Sequence, residues 1–277
     1  MDRVKRNERL GAMTHLLIQN PNKIHTFSEF CELFGSAKST ISEDINLIAD
    51  SLSRFDLGTV YTISGAAGGV IYKPGMSIRK IRETLEGLSQ TLSDPDRLLP
   101  GGFLYTSDIA SDPTITEVLG RIFAMRFWQY SPSFVLTMET KGIPLALMTA
   151  RALNVPLVVA RRDSKAYEGS AVKISYISGE ADRIETMALS RRAVKEGQRA
   201  LIIDDFMKGG GTLQGMVDMM AEFQATVVGI GVMIATAHPA EKRCKNVKTL
   251  LTLDTMDMAQ GKCVVTPSEE FINAIEP

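Results

Sequence analysis

The stretch Ala200-Leu201-Ile202-Ile203-Asp204-Asp205-Phe206-Met207-Lys208-Gly209-Gly210-Gly211-Thr212 constrains this chain more than any other. Its first four residues are apolar and read as a buried strand. Two adjacent carboxylates, Asp204 and Asp205, stand at the carboxyl end of that strand. Phe206, Met207 and Lys208 lead into three glycines and Thr212, and Met216, Met219, Met220 and Phe223 then recur at helical spacing. A strand that passes through a glycine-rich turn into a helix N-terminus makes an anion cradle. The glycines let backbone N–H groups close on a phosphate, and the helix dipole favours its charge. The carboxylates beside it need a partner that wants acceptors, such as vicinal hydroxyls or a divalent cation. A ribose 5-phosphate combines the phosphate and the diol. The plainer alternative is an ordinary strand–turn–helix with a solvated aspartate pair.

The chain has 277 residues, a net charge of −1 and 44% apolar residues, which allows one large or two modest cored domains. Near-neutral charge excludes a generally basic nucleic-acid coat but leaves room for a local basic patch. No apolar run reaches the ~18 residues of a membrane span, so no membrane partner is expected. The N-terminal residues Met1 to Arg9 are charged and lack the apolar core of a secretory signal. Cys31, Cys244 and Cys263 are scattered and odd in number, which fits reduced thiols in a cytoplasmic protein. Cys31 lies on an apolar helix stripe and reads as packing. His15, His25 and His238 have no metal-ligand spacing, so no metal site is expected from them.

Residues 1–74 read as a winged helix. Leu10, Met13, Leu16 and Leu17 give helical spacing from about Arg6 to Gln19, and Pro21-Asn22 stop it. Thr26-Phe27-Ser28-Glu29 has the form of a capping box, with Phe27, Phe30, Cys31 and Phe34 as the apolar stripe of a second helix. Gly35 makes the turn and Ser36 is the expected N-cap of a third helix. That helix places Ala37, Ile41, Ile45, Ile48, Leu52 and Phe55 on one side. Ser39, Ser42, Glu43 and Asn46 face the other way, flanked by Lys38 and Thr40. Small polar side chains on such a helix suit the major groove, where Ser and Asn read base edges and Glu43 can accept from a cytosine amino group. The alternative for Glu43 is a local cap or ion pair. Thr59 to Ile63, a Gly-rich turn and Val70 to Tyr72 form the hairpin of a wing. Arg3, Lys5, Arg6 and Arg9 supply a basic, phosphate-binding arm. A DNA-reading module of this kind implies a homodimer on a two-fold operator.

Residues 75–277 read as a second domain, α/β with a mostly parallel sheet. Lys73-Pro74-Gly75 marks the boundary. Ile78, Ile81, Leu85, Leu88 and Leu92 predict a connecting helix with an apolar side suited to a dimer or domain contact. Helices are expected from Ile115 to Phe123 and from Ile143 to Leu153. Strands are expected at Phe134–Met138, Pro156–Val159, Ala200–Asp204 and Val227–Ile234. Ligands of such sheets sit at the carboxyl ends of the strands. Glu139-Thr140-Lys141-Gly142-Ile143 stands at one such end and opens a helix.

The stretch 200–212 resembles the loop that binds phosphoribosyl pyrophosphate in type I phosphoribosyltransferases. The resemblance implies that Asp204 and Asp205 hold the ribose hydroxyls. It gives the 5′-phosphate to the turn, with Phe206, Met207, Lys208, Gly209, Gly210, Gly211 and Thr212 all in the site. Phe206 stands where that family usually has an aliphatic residue, and Lys208 where it has a small one. Residues 139–143 resemble the pyrophosphate loop of the adenine and xanthine branch, which implies diphosphate binding by Thr140, Lys141 and Gly142. Arg161-Arg162-Asp163-Ser164-Lys165 resembles the start of the family's flexible loop, running to about Arg192, and puts Arg161, Arg162 and Lys165 near the diphosphate. A solvated, charged loop is the alternative.

A winged helix joined to such a domain resembles the purine operon regulators of Gram-positive bacteria, in Ser39-Thr40-Ile41-Ser42-Glu43-Asp44 as well as Ile203 to Lys208. The resemblance implies a DNA-binding regulator of purine-synthesis genes with no catalytic residues and no required cofactor. Phosphoribosyl pyrophosphate would be its effector, with Mg²⁺ a candidate companion and guanosine polyphosphates candidates for the same pocket. It also offers Tyr105 as an aromatic wall. The residues after Leu253 contain Phe271 as their sole aromatic, little from which to build a hood over a purine base. The competing readings are an adenine/xanthine-type phosphoribosyltransferase with an N-terminal extension, and a nucleotide-binding scaffold.

Overall fold

The computed structural model describes residues 4–65, 68–163, 169–178 and 183–275. The chain divides into two compact units, Met1–Ser77 with Arg151–Asn154, and Ile78–Ala150 with Val155–Pro277.

The first unit has helices α1 (Arg6–Gln19), α2 (Phe27–Phe34) and α3 (Lys38–Arg54) and strands β1 (Ile24–Thr26), β2 (Thr59–Ile63) and β3 (Gly69–Lys73). The sheet is antiparallel in the order β1-β3-β2, so the wing hairpin carries a third, very short strand. Met13, Leu17, Phe30, Phe34, Ile41, Ile45, Ile48, Leu52, Val70 and Tyr72 form its core. Three expectations are corrected here. Ala37, not Ser36, is the N-cap of α3, and the Ser36 hydroxyl donates instead to the Phe34 carbonyl at 3.3 Å. Ala37 and Phe55, counted on the apolar side, are exposed because they lie at the two ends of α3 where that side runs off the core. Only half of the capping box forms. Thr26 Oγ1 accepts from the Glu29 N–H at 3.1 Å, whereas the Glu29 carboxylate lies 3.4 Å from His25 Nδ1.

The second unit opens with α4 (Ile78–Leu92), the short hairpin β4 (Leu98–Leu99) and β5 (Phe103–Leu104), α5 (Ser107–Ser111) and α6 (Pro113–Phe127). Asp112 starts α6 by accepting from the N–H groups of Thr114 and Ile115, with Pro113 in the first turn where its missing N–H costs nothing. The chain continues with β6 (Phe134–Met138), α7 (Ile143–Leu153), β7 (Leu157–Ala160), β8 (Ala171–Ile177) and β9 (Ile184–Ser190). It ends with β10 (Arg199–Met207), α8 (Gly211–Glu222), β11 (Thr226–Thr236), β12 (Lys248–Asp257), β13 (Lys262–Pro267) and α9 (Glu269–Asn273). Six strands form one sheet in the order β13-β12-β11-β10-β6-β7, parallel except for the β12–β13 pair. Ala200 to Ile203 are fully buried, as expected of a central parallel strand covered on both faces. Strand order reverses between β6 and β10, which puts the ligand crevice of such a sheet at the carboxyl ends of those two strands.

Two further expectations change. The apolar side of α4, suited to a dimer or a domain contact, narrows to a contact within its own unit. Ile81, Leu85, Leu88 and Leu92 are buried within the unit, against β13. Ser89 Oγ donates to the Val265 carbonyl at 2.6 Å and Ser93 Oγ accepts the Val265 N–H at 2.9 Å, so α4 and the residue just after it also satisfy backbone groups of β13. The stretch from Arg161 to Arg192 is not one long loop, because β8 and β9 pair in it as an antiparallel ribbon. Period-two alternation buries Val172 and Tyr176 on one side of β8. The ribbon joins the sheet edge where the Arg161 and Ala188 backbones exchange bonds of 3.0 and 2.7 Å. No described helix is long and apolar enough to cross a membrane.

Candidate functional site

A cavity of about 490 Å³ opens at the crevice between the ends of β6 and β10. Its lining includes Thr140 and Lys141 after β6, Arg162 after β7, and the whole run from Asp204 to Leu213. Sequence-distant residues converge because parallel strands deliver their carboxyl ends to one rim. Gly142, expected in the site, is not among the lining residues but packs against Asp204. A Cβ there would lie 2.4 Å from Asp204 Oδ1 and 2.5 Å from Thr137 Oγ1, so only a hydrogen fits where the two loops touch. Glu139 ties the rim together, accepting from the Arg162 N–H at 2.8 Å and from Arg161 Nη1 at 3.3 Å. The Glu139–Thr140 peptide bond is cis.

The aspartate pair is unequal in depth, with Asp204 buried and Asp205 half-buried. Asp204 is 6% exposed, and its Oδ1 accepts the Asp205 N–H at 3.0 Å. Burial, then the neighbouring Asp205 charge, raises the Asp204 carboxyl well above the ordinary aspartate range. Asp205 is also raised by burial, with the Lys141 ammonium acting in the opposite sense. Phe206 is half-buried beside them, and Lys208 is exposed at the mouth. Gly210 is the N-cap of α8 at φ 81°, a left-handed conformation that glycine adopts without penalty. The turn therefore delivers its peptide groups and the start of α8 to the cavity, the geometry of an anion site.

Some contributors were not legible in the sequence. The Tyr176 phenol reaches in from the ribbon, donates to Glu185 Oε2 at 2.8 Å and has the Thr212 side chain as a second partner. Burial first, then Glu185, pushes that phenol up to about 12. Lys242 Nζ donates to the Lys208 carbonyl at 2.5 Å, and the Arg243 N–H donates to the Gly209 carbonyl at 2.9 Å. Only the alternation of Val172, Ile174 and Tyr176 gave any signal of the ribbon. Arg161 braces Glu139 and is not among the cavity's lining residues. Tyr105 does not line the cavity either. Its ring lies 5.9 Å from the Arg97 guanidinium. Lys165 falls outside the described residues. Phe271 is buried in an edge-on contact with Phe123, and β13 and α9 take the C-terminal segment to the far edge of the sheet.

In the first unit, Ser39, Glu43 and Asn46 of α3 are exposed, and Thr40 and Ser42 are half-buried. Lys38 Nζ lies 5.5 Å from the centre of the Phe27 ring. The basic arm divides. Lys5 is exposed, but Arg9 is buried and its Nε donates to Asp44 Oδ2 at 2.8 Å. Arg6 Nε donates to Asp44 Oδ1 at 2.9 Å, with Glu43 3.8 Å from its Nη2. Arg9 is thus not available to phosphates, because it locks α1 to α3. Arg3 lies outside the described residues.

The N-terminal domain of bacterial purine repressors matches residues 5–74, and the phosphoribosyl transferase domain matches residues 106–270. The chain is 43% identical over 256 residues to the purine biosynthesis transcriptional repressor PurR of Bacillus subtilis, covering 92% of this chain and 90% of that one. It is 37% identical over 256 residues to the purine biosynthesis transcriptional activator PurR of Lactococcus lactis, covering 92% and 94%. An adenine phosphoribosyltransferase from Rhodothermus marinus superposes with a TM-score of 0.53 at 24% identity, covering 62% of this chain and 99% of that one, a likeness of fold.

Proposed function

The chain belongs to the bacterial purine repressor family, whose members regulate transcription of purine biosynthesis, and on that premise we propose that phosphoribosyl pyrophosphate binds the β10–α8 cavity as the effector that controls its DNA binding. One observation carries this reading: a buried carboxylate, Asp204, and a half-buried one, Asp205, stand three residues before a glycine turn that caps a helix. The 5′-phosphate takes the turn and the start of α8. The ribose diol donates to Asp204 and Asp205, which turns a costly pair of acceptors into a satisfied one. The diphosphate faces Lys141, Arg162 and the Thr140 backbone, and a Mg²⁺ would ride on its oxygens. In this reading Phe206, a lining residue, stacks on or fills the nucleobase position.

The message passes by linkage. Effector and operator must prefer different arrangements of the protein, otherwise even tight effector binding changes nothing. Ser39, Ser42, Glu43 and Asn46 are the proposed base-reading set, with Lys5, Arg6, Lys38 and Thr40 at the backbone, in a homodimer on a two-fold site. The course of the C-terminal segment favours effector over substrate in this reading, because Phe271 packs against Phe123 and, among the described residues, none after Leu213 lines the cavity.

A gel shift on DNA upstream of purine-synthesis genes, with and without phosphoribosyl pyrophosphate, tests the reading. The expected result is salt-dependent retention that the metabolite changes, with no diphosphate released when each purine and Mg²⁺ are added. A calorimetric titration showing no binding of the metabolite overturns it.

A further inference from the structure

The phosphate turn is held from behind. Lys242 Nζ donates to the Lys208 carbonyl at 2.5 Å and to Thr236 Oγ1 at 3.1 Å. Thr236 Oγ1 spends its own proton on the His238 carbonyl at 2.6 Å, which leaves its lone pairs for the ammonium. The Arg243 N–H takes the next carbonyl, that of Gly209. Lys242 and Arg243 are not among the lining residues, whereas Lys208, Gly209 and Gly210 are. Neither the Lys208–Gly209 nor the Gly209–Gly210 link is cis. A trans peptide holds its C=O and the following N–H on opposite sides. Two carbonyls drawn toward Lys242 and Arg243 therefore turn the Gly209 and Gly210 N–H groups toward the cavity.

We propose that Lys242 is a positioning residue for anion binding: its ammonium fixes the Lys208 carbonyl and so aims the Gly209 and Gly210 N–H groups at the phosphate. The effect has two parts. The bond selects one orientation of a glycine turn that otherwise has many. A cation on the carbonyl also polarises the peptide and makes its N–H a stronger donor. Lys242 is partly buried, and burial lowers its ammonium below the ordinary lysine range, so the fold holds a cation there against a desolvation cost. The proposal rests on the effector reading above for its ligand, but not for its geometry.

The test is calorimetry on the full chain with two probes, ribose 5-phosphate for the turn and inorganic pyrophosphate for the Thr140–Lys141 loop. Lys242→Met is expected to weaken ribose 5-phosphate by at least about tenfold, the scale of one hydrogen bond to a charged group, and to leave pyrophosphate unchanged. Lys242→Arg should recover most of the loss. Unchanged ribose 5-phosphate binding in Lys242→Met overturns the proposal, and so does an equal loss of both probes. A readout free of mutation and ligand is the carbonyl carbon resonance of Lys208 in the wild-type chain. It should shift as the Lys242 ammonium is titrated, and a resonance that stays still also overturns the proposal. If the wild-type chain binds neither probe, the effector reading fails, while that resonance still decides the role of Lys242.

Discussion

Asp44 and Asp204 are both buried aspartates, and their surroundings are opposite. Asp44, fully buried in α3, receives Arg9 at 2.8 Å and Arg6 at 2.9 Å. Asp204, nearly as deep, has a second carboxylate as its neighbour and is driven toward its neutral form. A carboxylate neutralised from within its own chain is a fastener. One that the fold leaves beside another anion marks a place built for something the chain does not supply. The contrast also sorts the charged residues of the first unit, since the arginines spent on Asp44 cannot be counted fully toward DNA.

Substitution can break or sharpen this contrast. The largest effect is expected from Asp44→Asn, which strands the buried Arg9 guanidinium and should cost about 3–5 kcal/mol, seen as early loss of the first unit in urea together with loss of DNA retention. A cost under about 1 kcal/mol would show that the pair does not fasten α1 to α3. Asp204→Asn should act the other way on stability and abolish function. We expect up to about a hundredfold loss of phosphoribosyl pyrophosphate affinity, from the carboxylate that accepts a ribose hydroxyl, with DNA affinity kept. The folded Asp204 carboxyl is raised, so the folded state holds the extra proton between the unfolded and folded values, and wild-type stability falls as pH rises through that window. The Asn variant should therefore melt higher than wild type at neutral pH, by about 2–4 °C for each kcal/mol relieved, and the gap should close below the ordinary aspartate range. A lower melting temperature at neutral pH would make Asp204 a fastener too.

Smaller effects refine the two sites. Asn46→Ala should reduce discrimination among operator bases by about 1–3 kcal/mol in competition gel shifts, while fold and effector affinity stay constant. Unchanged base preference would move the reading face elsewhere. Tyr176→Phe removes the bond to Glu185 and should cost only about 0.5–1.5 kcal/mol in effector affinity. No change would make Tyr176 a packing residue of the ribbon.

Much of this was legible because period and punctuation act locally. The core faces of α1, α2 and α3, the alternation of helices with the strands of a mostly parallel sheet and the run Asp204 to Thr212 follow from spacing within a few residues. What escaped depends on distance along the chain. Nothing near Arg9 announces Asp44, and nothing near Lys208 announces Lys242. A three-residue strand such as β1 has too few positions to show a period. The side of α4 was legible as apolar, but not which surface would cover it.

That cover has a practical consequence. The recognised transferase domain begins at residue 106, well after α4 has ended. A fragment cut at that point would strip the outermost strand of the serine hydroxyls and leucines that shield it. It would then offer a raw template to any strand in solution, and precipitation would follow. Excision at Ile78 keeps the shield in place, and that is where the second half of this molecule has its physical beginning.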